Sequence, residues 1–479
     1  MAEPKAFLKH KRQEVEHRPV EERILDFREL NLPLTPDQIH EQAKRCMDCG
    51  IPFCHGAGCP LHNFIPDFNE LIFKGRWEQA CQLLHTTNNF PEITGRLCPA
   101  PCESACTLGI SDEPVLIRHI EYQIVERGFE QGWIKPMLPA QRTGKRIAVI
   151  GSGPAGLAAA QQLARAGHAV VVFEKNEKIG GLLRYGVPDF KLEKSVIDRR
   201  LEQLRAEGVQ FQTGVTAGED LSAHYLQKMF DCICLTMGAS QPRDLNIPGR
   251  GYENIIFAIE YLTAQNKINA SEPFDERKFI TAKDKTVVVI GGGDTGSDCV
   301  GTARRQGAKK IYQFEILPKP PESRPQDTPW PMWPRIMRTS SSHEEGCERR
   351  WSISTKEFSG GAEITADKLH ACEIEWFKKK DEWKIKEIPG TDFSLDMDIA
   401  ILATGFVHVV HEGLIKEMKL ALDNRGNVTT NNFQTSNPQV FAAGDTISGP
   451  SLIVHAINTG RQAAAAIDKW LRGKSANSV

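Results

Sequence analysis

Seven cysteines fall in one region with spacings that suit metal ligation. Cys46-Met-Asp-Cys49 is a CxxC pair, Cys54 and Cys59 each follow five positions on, and Cys98, Cys102 and Cys106 step by four. In a compartment that keeps thiols reduced, such a group reads as ligands rather than disulfides. Structural zinc favours two CxxC-like pairs closing one tetrahedron, whereas seven sulfurs with Cys-Pro at 59–60 and at 98–99 look more like iron–sulfur ligation. Two four-iron clusters need about eight protein ligands at one per iron. A non-cysteine eighth ligand is therefore expected, or one cluster is incomplete. Glu121 is the candidate, because it lies four residues after Ile117 and three before Ile124, on or beside an apolar helix stripe. A charge there needs a partner, and iron would supply one. An ion pair with Arg118 or Arg127 is the competing reading, and zinc the competing metal.

Two glycine fingerprints point to nucleotides. The first is Gly151-Ser-Gly153-Pro154-Ala155-Gly156, which follows the strand-like Arg146–Ile150, opens an alanine-rich helix and is answered by Glu174 at the end of the next apolar run. In such a turn the first glycine makes the bend and the second lets backbone approach a pyrophosphate. The third lets helix and strand pack closely, and the acidic residue accepts from ribose hydroxyls. The second copy is Gly291-Gly292-Gly293-Asp294-Thr295-Gly296, with Glu315 closing the following strand. Two complete copies imply two dinucleotides, and an enzyme that binds two pairs a flavin with a nicotinamide. Gly181 is placed with the first cofactor. The nicotinamide could be NADH or NADPH: Glu315 would repel a 2′-phosphate, while Arg304, Arg305, Lys309 and Lys310 are near enough in sequence to attract one.

These sites need elements to hold them. Thr35-Pro36-Asp37-Gln38 reads as an N-cap, a proline at the first helical position and a capping-box Gln, starting a helix that runs into the first cysteines. A second helix is expected over 115–127, where Leu116, Ile117, Ile120 and Ile124 recur at helical spacing. From Lys145 the texture changes to short β-branched runs that read as buried parallel strands: 145–150, 169–173, 286–290, 310–314 and 399–402. Cys81, Cys232, Cys234, Cys299, Cys347 and Cys372 stand singly and read as packing residues. The prolines and tryptophans of 318–334, including Trp330 and Trp333, exclude helix or central strand. That segment reads as an ordered loop near the nicotinamide or as a docking surface.

A chain of 479 residues suits about three domains of ~100–200 residues. With 40% hydrophobic residues, 25% charged and a net charge of -2, nothing points to nucleic acid or membrane. The charged stretch 1–23 has no apolar core, and no run approaches the ~18 apolar residues of a membrane span, so a cytoplasmic protein is expected.

The runs Cys46-Met-Asp-Cys49-Gly-Ile-Pro-Phe-Cys54, Gly95-Arg-Leu-Cys98-Pro-Ala-Pro-Cys102-Glu-Ser-Ala-Cys106 and Gly292-Gly-Asp-Thr-Gly-Ser-Asp-Cys-Val-Gly301 resemble the small (β) subunit of glutamate synthase. The wider family includes the electron-entry half of dihydropyrimidine dehydrogenase. Val440-Phe-Ala-Ala-Gly444-Asp445 resembles the late motif that places an Asp near a flavin's ribityl chain, and Ala403-Thr404-Gly405 resembles the returning strand. The resemblance implies an α/β protein: an N-terminal helical iron–sulfur domain (1–143), then two Rossmann-like domains. The NAD(P)H domain (246–394) is inserted in the FAD domain (144–245 and 395–479).

It further implies FAD, NAD(P)H and two [4Fe-4S] clusters, one on Cys46, Cys49, Cys54 and Cys106 and the other on Cys59, Cys98 and Cys102. Glu121 matches a position that is Gln in dihydropyrimidine dehydrogenase. The receiver of electrons would be a large subunit that makes glutamate. Ala2 is not a nucleophilic cysteine and no barrel-sized segment is left over, so amination is expected of that partner.

Overall fold

The computed structural model describes residues 5–275, 279–361, 364–380 and 382–476; Ala2 lies outside them. The N-terminal unit is helical. Helix Pro36–Lys44 starts at Thr35, whose hydroxyl accepts from Gln38 N while the Gln38 side chain accepts from Thr35 N, the reciprocal cap expected. It stops just before Cys46. Helices Ile65–Phe73, Trp77–Thr87, Pro91–Leu97 and Ile117–Glu130 follow. The last starts and ends slightly later than its apolar periodicity indicated and buries Ile117, Ile120 and Ile124.

Beyond residue 145 the chain builds two parallel sheets. Strands β1 (Arg146–Ile150), β2 (Ala169–Phe173), β3 (Gln210–Gln212) and β4 (Cys232–Leu235) are followed by β5 (Ile255–Phe257), β6 (Thr286–Ile290), β7 (Lys310–Glu315) and β8 (Glu348–Trp351). Then come β9 (Ile353–Ser359), β10 (Lys368–Lys379), β11 (Glu382–Glu387), β12 (Phe393–Asp396), β13 (Ile399–Leu402) and β14 (Val440–Ala442). The first sheet has the order β14-β4-β1-β2-β3 and the second β5-β13-β6-β7-β8. Every pairing in both is parallel, and their central strands are buried on both faces, as near-continuous Val/Ile runs require. An antiparallel sheet of β9 to β12 extends from the second.

The chain leaves the first sheet after β4 and rejoins it at β14, so one nucleotide fold is threaded through the other. Outgoing and returning segments pair with each other: Gln241 N donates to His408 O, and Arg243 N to Gly405 O. The expected return at residue 395 is too early. Strand β13 is hydrogen-bonded between β5 and β6, so the chain quits the second sheet only after Leu402.

One apolar core joins Ile65, Phe68, Ile120 and Ile124 of the helical unit to Ile147, Leu157 and Ile457 of the first nucleotide fold. The single cysteines at 81, 232, 234, 299 and 372 are buried and Cys347 is half-buried. No helix among the described residues is long and apolar enough to cross a membrane.

Candidate functional site

The first glycine turn joins β1 to helix Pro154–Arg165. Gly151 has φ +100°, and a Cβ there would stand 2.4 Å from Thr236 O; one on Gly156 would stand 2.0 Å from Gly151 O. Both glycines are needed for the chain to pass. Gly153 is different, because a Cβ would meet nothing within 4 Å. Its backbone faces open space at a helix start that no side chain caps, which fits a pyrophosphate on the free N–H groups of Pro154–Arg165. Gly181 packs against it, a Cβ reaching 3.1 Å from Gly153 Cα. Gly444 is brought to the same turn, where an added Cβ would lie 2.7 Å from that of Ala155. Beside it the Asp445 carboxyl accepts from Ser451 Oγ at 2.7 Å and is pushed up to about 6 by burial.

Glu174 is buried, and its first task is structural. One oxygen accepts from Ser152 N (3.2 Å) and Ser152 Oγ (2.5 Å), the other from Asn176 N (2.9 Å) and Asn176 Nδ2 (2.7 Å). The second turn repeats the design. A Cβ on Gly291 would lie 2.2 Å from Ala403 O and one on Gly296 2.1 Å from Gly291 O, while Gly293 again faces open space. Asp294 and Thr295 open the helix Asp294–Arg305. Glu315 Oε2 accepts from Gly292 N at 2.6 Å, so Glu315 pins its own turn as Glu174 does.

The basic residues proposed for a 2′-phosphate are elsewhere. Arg304 and Arg305 end a 12-residue helix that starts at Asp294, about 15–17 Å away at 1.5 Å per residue, and Lys309 and Lys310 precede or begin β7 at its far end. Arg305 is spent in a fully buried ion pair with Glu345 at 2.6 Å. A cation near the turn is Arg338, which feels the charge of Asp294 and stacks on Trp333 at 4.2 Å.

The cysteines divide between two cavities. Cys46, Cys49, Cys54 and Cys106 line one, with Ile65, Leu108 and Ile117 beside them. Cys59, Cys98, Cys102 and Glu121 line the other. Burial pushes the thiols of Cys46, Cys59 and Cys98 up to about 12 and raises those of Cys54 and Cys102 as well. Such thiols lose their protons to a metal rather than to water. Among the described residues no three donors meet closely enough to share one ion. Four donors around a cavity instead of at a point suit a polynuclear cluster better than a tetrahedral zinc.

Glu121 is buried and is pushed up to about 7 by that burial. Neither arginine of the competing reading takes it: Arg118 donates to Cys98 O at 3.0 Å, and Arg127 stacks on Trp77 at 4.7 Å. Its hydrogen-bond partner is Asn63, whose Nδ2 donates to Oε1 at 2.9 Å.

Asn63, Val454 and Gly460 were invisible to sequence reasoning. Val454 lines the Glu121 cavity from the first turn of helix Ile453–Ala476. That helix lies on Pro154–Arg165 so closely that a Cβ on Gly460 would stand 2.2 Å from Ala155 O. One element thus touches both the first nucleotide turn and a cysteine cavity. A lone glycine in the alanine-rich 456–466 run was the only available signal.

The proline-rich segment is committed within the chain. Trp330 packs on Phe53 at 4.6 Å, beside Cys54, and Arg324 donates to Ser104 O at 3.2 Å. It is an ordered bridge from the second nucleotide fold to the cysteine loops.

The fold and site define a class: a pyridine-nucleotide oxidoreductase carrying an iron–sulfur domain. Residues 145–460 match the pyridine nucleotide-disulphide oxidoreductase family, and residues 23–133 match dihydropyrimidine dehydrogenase domain II, 4Fe-4S cluster. FprA from Mycobacterium tuberculosis, in a structure with NADPH, shares the fold at TM-score 0.57 and 18% identity over 70% of this chain and 86% of its own.

The glutamate synthase [NADPH] small chain of M. tuberculosis (H37Rv) is 49% identical, over 99% of this chain and 97% of that one. That of Bacillus subtilis is 42% identical over 99% of both. Glutamate synthase [NADH] of Schizosaccharomyces pombe is 44% identical over 98% of this chain but 23% of its own length. The chain belongs to the glutamate synthase small chain family, and its cofactors are FAD, NAD(P)H and iron–sulfur clusters.

Proposed function

We propose that this chain is the electron-input subunit of a glutamate synthase, acting in the cytoplasm beside a large subunit that makes glutamate from glutamine and 2-oxoglutarate. FAD, when bound, would accept one hydride, an electron pair, from NAD(P)H and release the two electrons singly to [4Fe-4S] clusters.

The chain's own residues bind and orient. Gly151 to Gly156 hold the flavin's pyrophosphate, with Gly181, Glu174, Gly444 and Asp445 around it. Gly291 to Gly296 and Glu315 hold the nicotinamide cofactor. Cys46, Cys49, Cys54 and Cys106 ligate one cluster, and Cys59, Cys98, Cys102 and Glu121 the other. The iron–sulfur domain covers 1–143, and the nicotinamide domain runs from about 246 to the end of β13. No side chain is required as a general acid or base, because hydride transfer needs alignment rather than proton transfer from the protein.

The observation that carries this reading is the helix Ile453–Ala476, which presents Val454 to the Glu121 cavity and Gly460 to the flavin turn. It supports a path in which the cluster of that cavity would receive electrons from the flavin and the other cluster would pass them out.

The test is division of labour. The isolated chain should oxidise NAD(P)H with an artificial acceptor, contain about eight irons per flavin, and make no glutamate until the large subunit is added. Glutamate made by the pure chain alone, or zinc in place of iron after anaerobic preparation, would overturn the reading. Another large chain that co-purifies and receives the electrons, such as a pyrimidine-reducing one, would reassign the partner.

A further inference from the structure

Asn63 is buried at 1% exposure, and all four of its polar groups are engaged around the Glu121 cavity. Its backbone N–H donates to the sulfur of Cys59. Its backbone carbonyl accepts from His55 Nδ1 at 2.9 Å. Its side-chain nitrogen donates to Glu121 Oε1 at 2.9 Å, and its side-chain oxygen accepts from Thr87 Oγ1 at 2.7 Å. A single residue therefore holds two members of one donor set that come from far apart in the chain, Cys59 and Glu121.

The amide orientation is determined by its neighbours. An ionised carboxylate only accepts, so the NH₂ group must face Glu121, and the Thr87 hydroxyl satisfies the oxygen left on the other side. With Oε1 engaged, Oε2 is the oxygen free for a metal. The chemistry singles out asparagine. Asp would set a second acceptor against Glu121, and Leu would leave Oε1 buried without a donor. A hydrogen bond to a ligand also fixes its geometry, and removing such a partner lowers metal affinity by about 10- to 100-fold.

We propose that Asn63 is the positioning residue of this cluster. It aims Glu121 at the fourth iron, the one without a cysteine, and so determines whether the cluster keeps four irons. The proposal rests on Glu121 being a ligand, and the experiment separates the two.

Holoprotein of the wild type, Asn63→Leu, Asn63→Asp and Glu121→Ala is prepared anaerobically. Iron per flavin is measured across a chelator titration, with electron paramagnetic resonance of the oxidised protein, in which a three-iron cluster is visible, and of the reduced protein, in which a four-iron cluster is. The Asn63 variants should lose about one iron per flavin at a chelator concentration about 10- to 100-fold below that needed for wild type. They should gain a three-iron signal while the signal of the Cys46–Cys106 cluster is unchanged. Glu121→Ala should show the same loss without chelator. Full iron in Glu121→Ala would remove the ligand assignment. Loss in Glu121→Ala with wild-type retention in both Asn63 variants would overturn the role of Asn63 alone.

If the Asn63 variants do not yield folded flavoprotein, Thr87→Val, at a half-buried position, frees the amide oxygen instead. It should release the fourth iron at a lower chelator concentration than wild type, and identical retention overturns the proposal.

Discussion

Glu315 Oε2 and the backbone N–H of Gly292 are 2.6 Å apart, and Glu315 Oε1 accepts from Leu317 N at 2.9 Å. A Cβ on Gly292 would stand 2.5 Å from that carboxylate oxygen, so the second glycine of the triplet makes room for the acid. The same device ties Ser152 to Glu174 in the other nucleotide fold. In both, the acid expected at the ribose is hydrogen-bonded to the loop proposed to hold the phosphates.

A pinned carboxylate at the ribose end disfavours a 2′-phosphate. Glu315→Arg should therefore move the ratio of kcat/KM for NADPH over NADH upward by at least about tenfold, equal to about 1.4 kcal/mol of transition-state discrimination. Steady-state kinetics with both nucleotides check this. An unchanged ratio would mean that Glu315 only secures the turn.

Gly293 and Gly296 should respond differently. Gly293→Leu places its side chain in open space, so the protein should fold and keep its FAD while losing NAD(P)H oxidation. Gly296→Ala drives a methyl to within 2.1 Å of Gly291 O and should destabilise the second sheet. Flavin content, melting temperature and oxidation rate separate the two.

Cys49→Ala removes a half-buried donor from the Cys46 cavity, at the loop that bears exposed Ile51. NAD(P)H oxidation by an artificial acceptor that takes electrons from the flavin should persist, and glutamate formation with the large subunit should fall to near zero. Equal losses in both assays would indicate that the domain had come apart, which circular dichroism would show.

Asp445 is raised from 3.8 to about 6 by burial. A carboxyl that holds its proton more tightly folded than unfolded contributes stability below about pH 4 that is lost as pH rises to about 6. Two pH units amount to ~3 kcal/mol. In flavin-free protein, Asp445→Asn should flatten the fall in melting temperature between about pH 4 and pH 6. A parallel profile would place the titration elsewhere.

The Glu345 carboxylate is fully buried between Arg305 (2.6 Å) and Arg23 (2.8 Å), joining the N-terminal segment to the second nucleotide fold. Glu345→Ala leaves two buried cations facing each other and should cost about 3–5 kcal/mol of stability. Denaturant unfolding of the variant measures it, and a cost below about 1 kcal/mol would mean that water enters the site.

Much of this molecule was legible in one dimension because its determinants are local. Each glycine turn is a contiguous run whose geometry admits few other residues, and the strands around it are Val/Ile runs that only a buried parallel sheet explains. The capping box at Thr35 and Gln38 is equally local. The number and spacing of the cysteines, with one donor short of two clusters, follow from ligand chemistry before any fold is known.

What sequence distance could not supply is which groups meet. Arg118 and Arg127 are as near Glu121 along the helix as an ion pair requires, yet packing sends one to Cys98 O and the other onto Trp77. Arg304 to Lys310 lie close to Glu315 in number but a helix length away in space, because the helix carries its last residues from the turn that its first residues make. Strand β13 looked like the start of the return and proved to be an inner strand of the second sheet, between β5 and β6. Asn63 and Val454 carry no motif at all. They matter because tertiary packing brings a loop amide and the foot of the last helix to one cavity, and only close-packing of distant segments decides that.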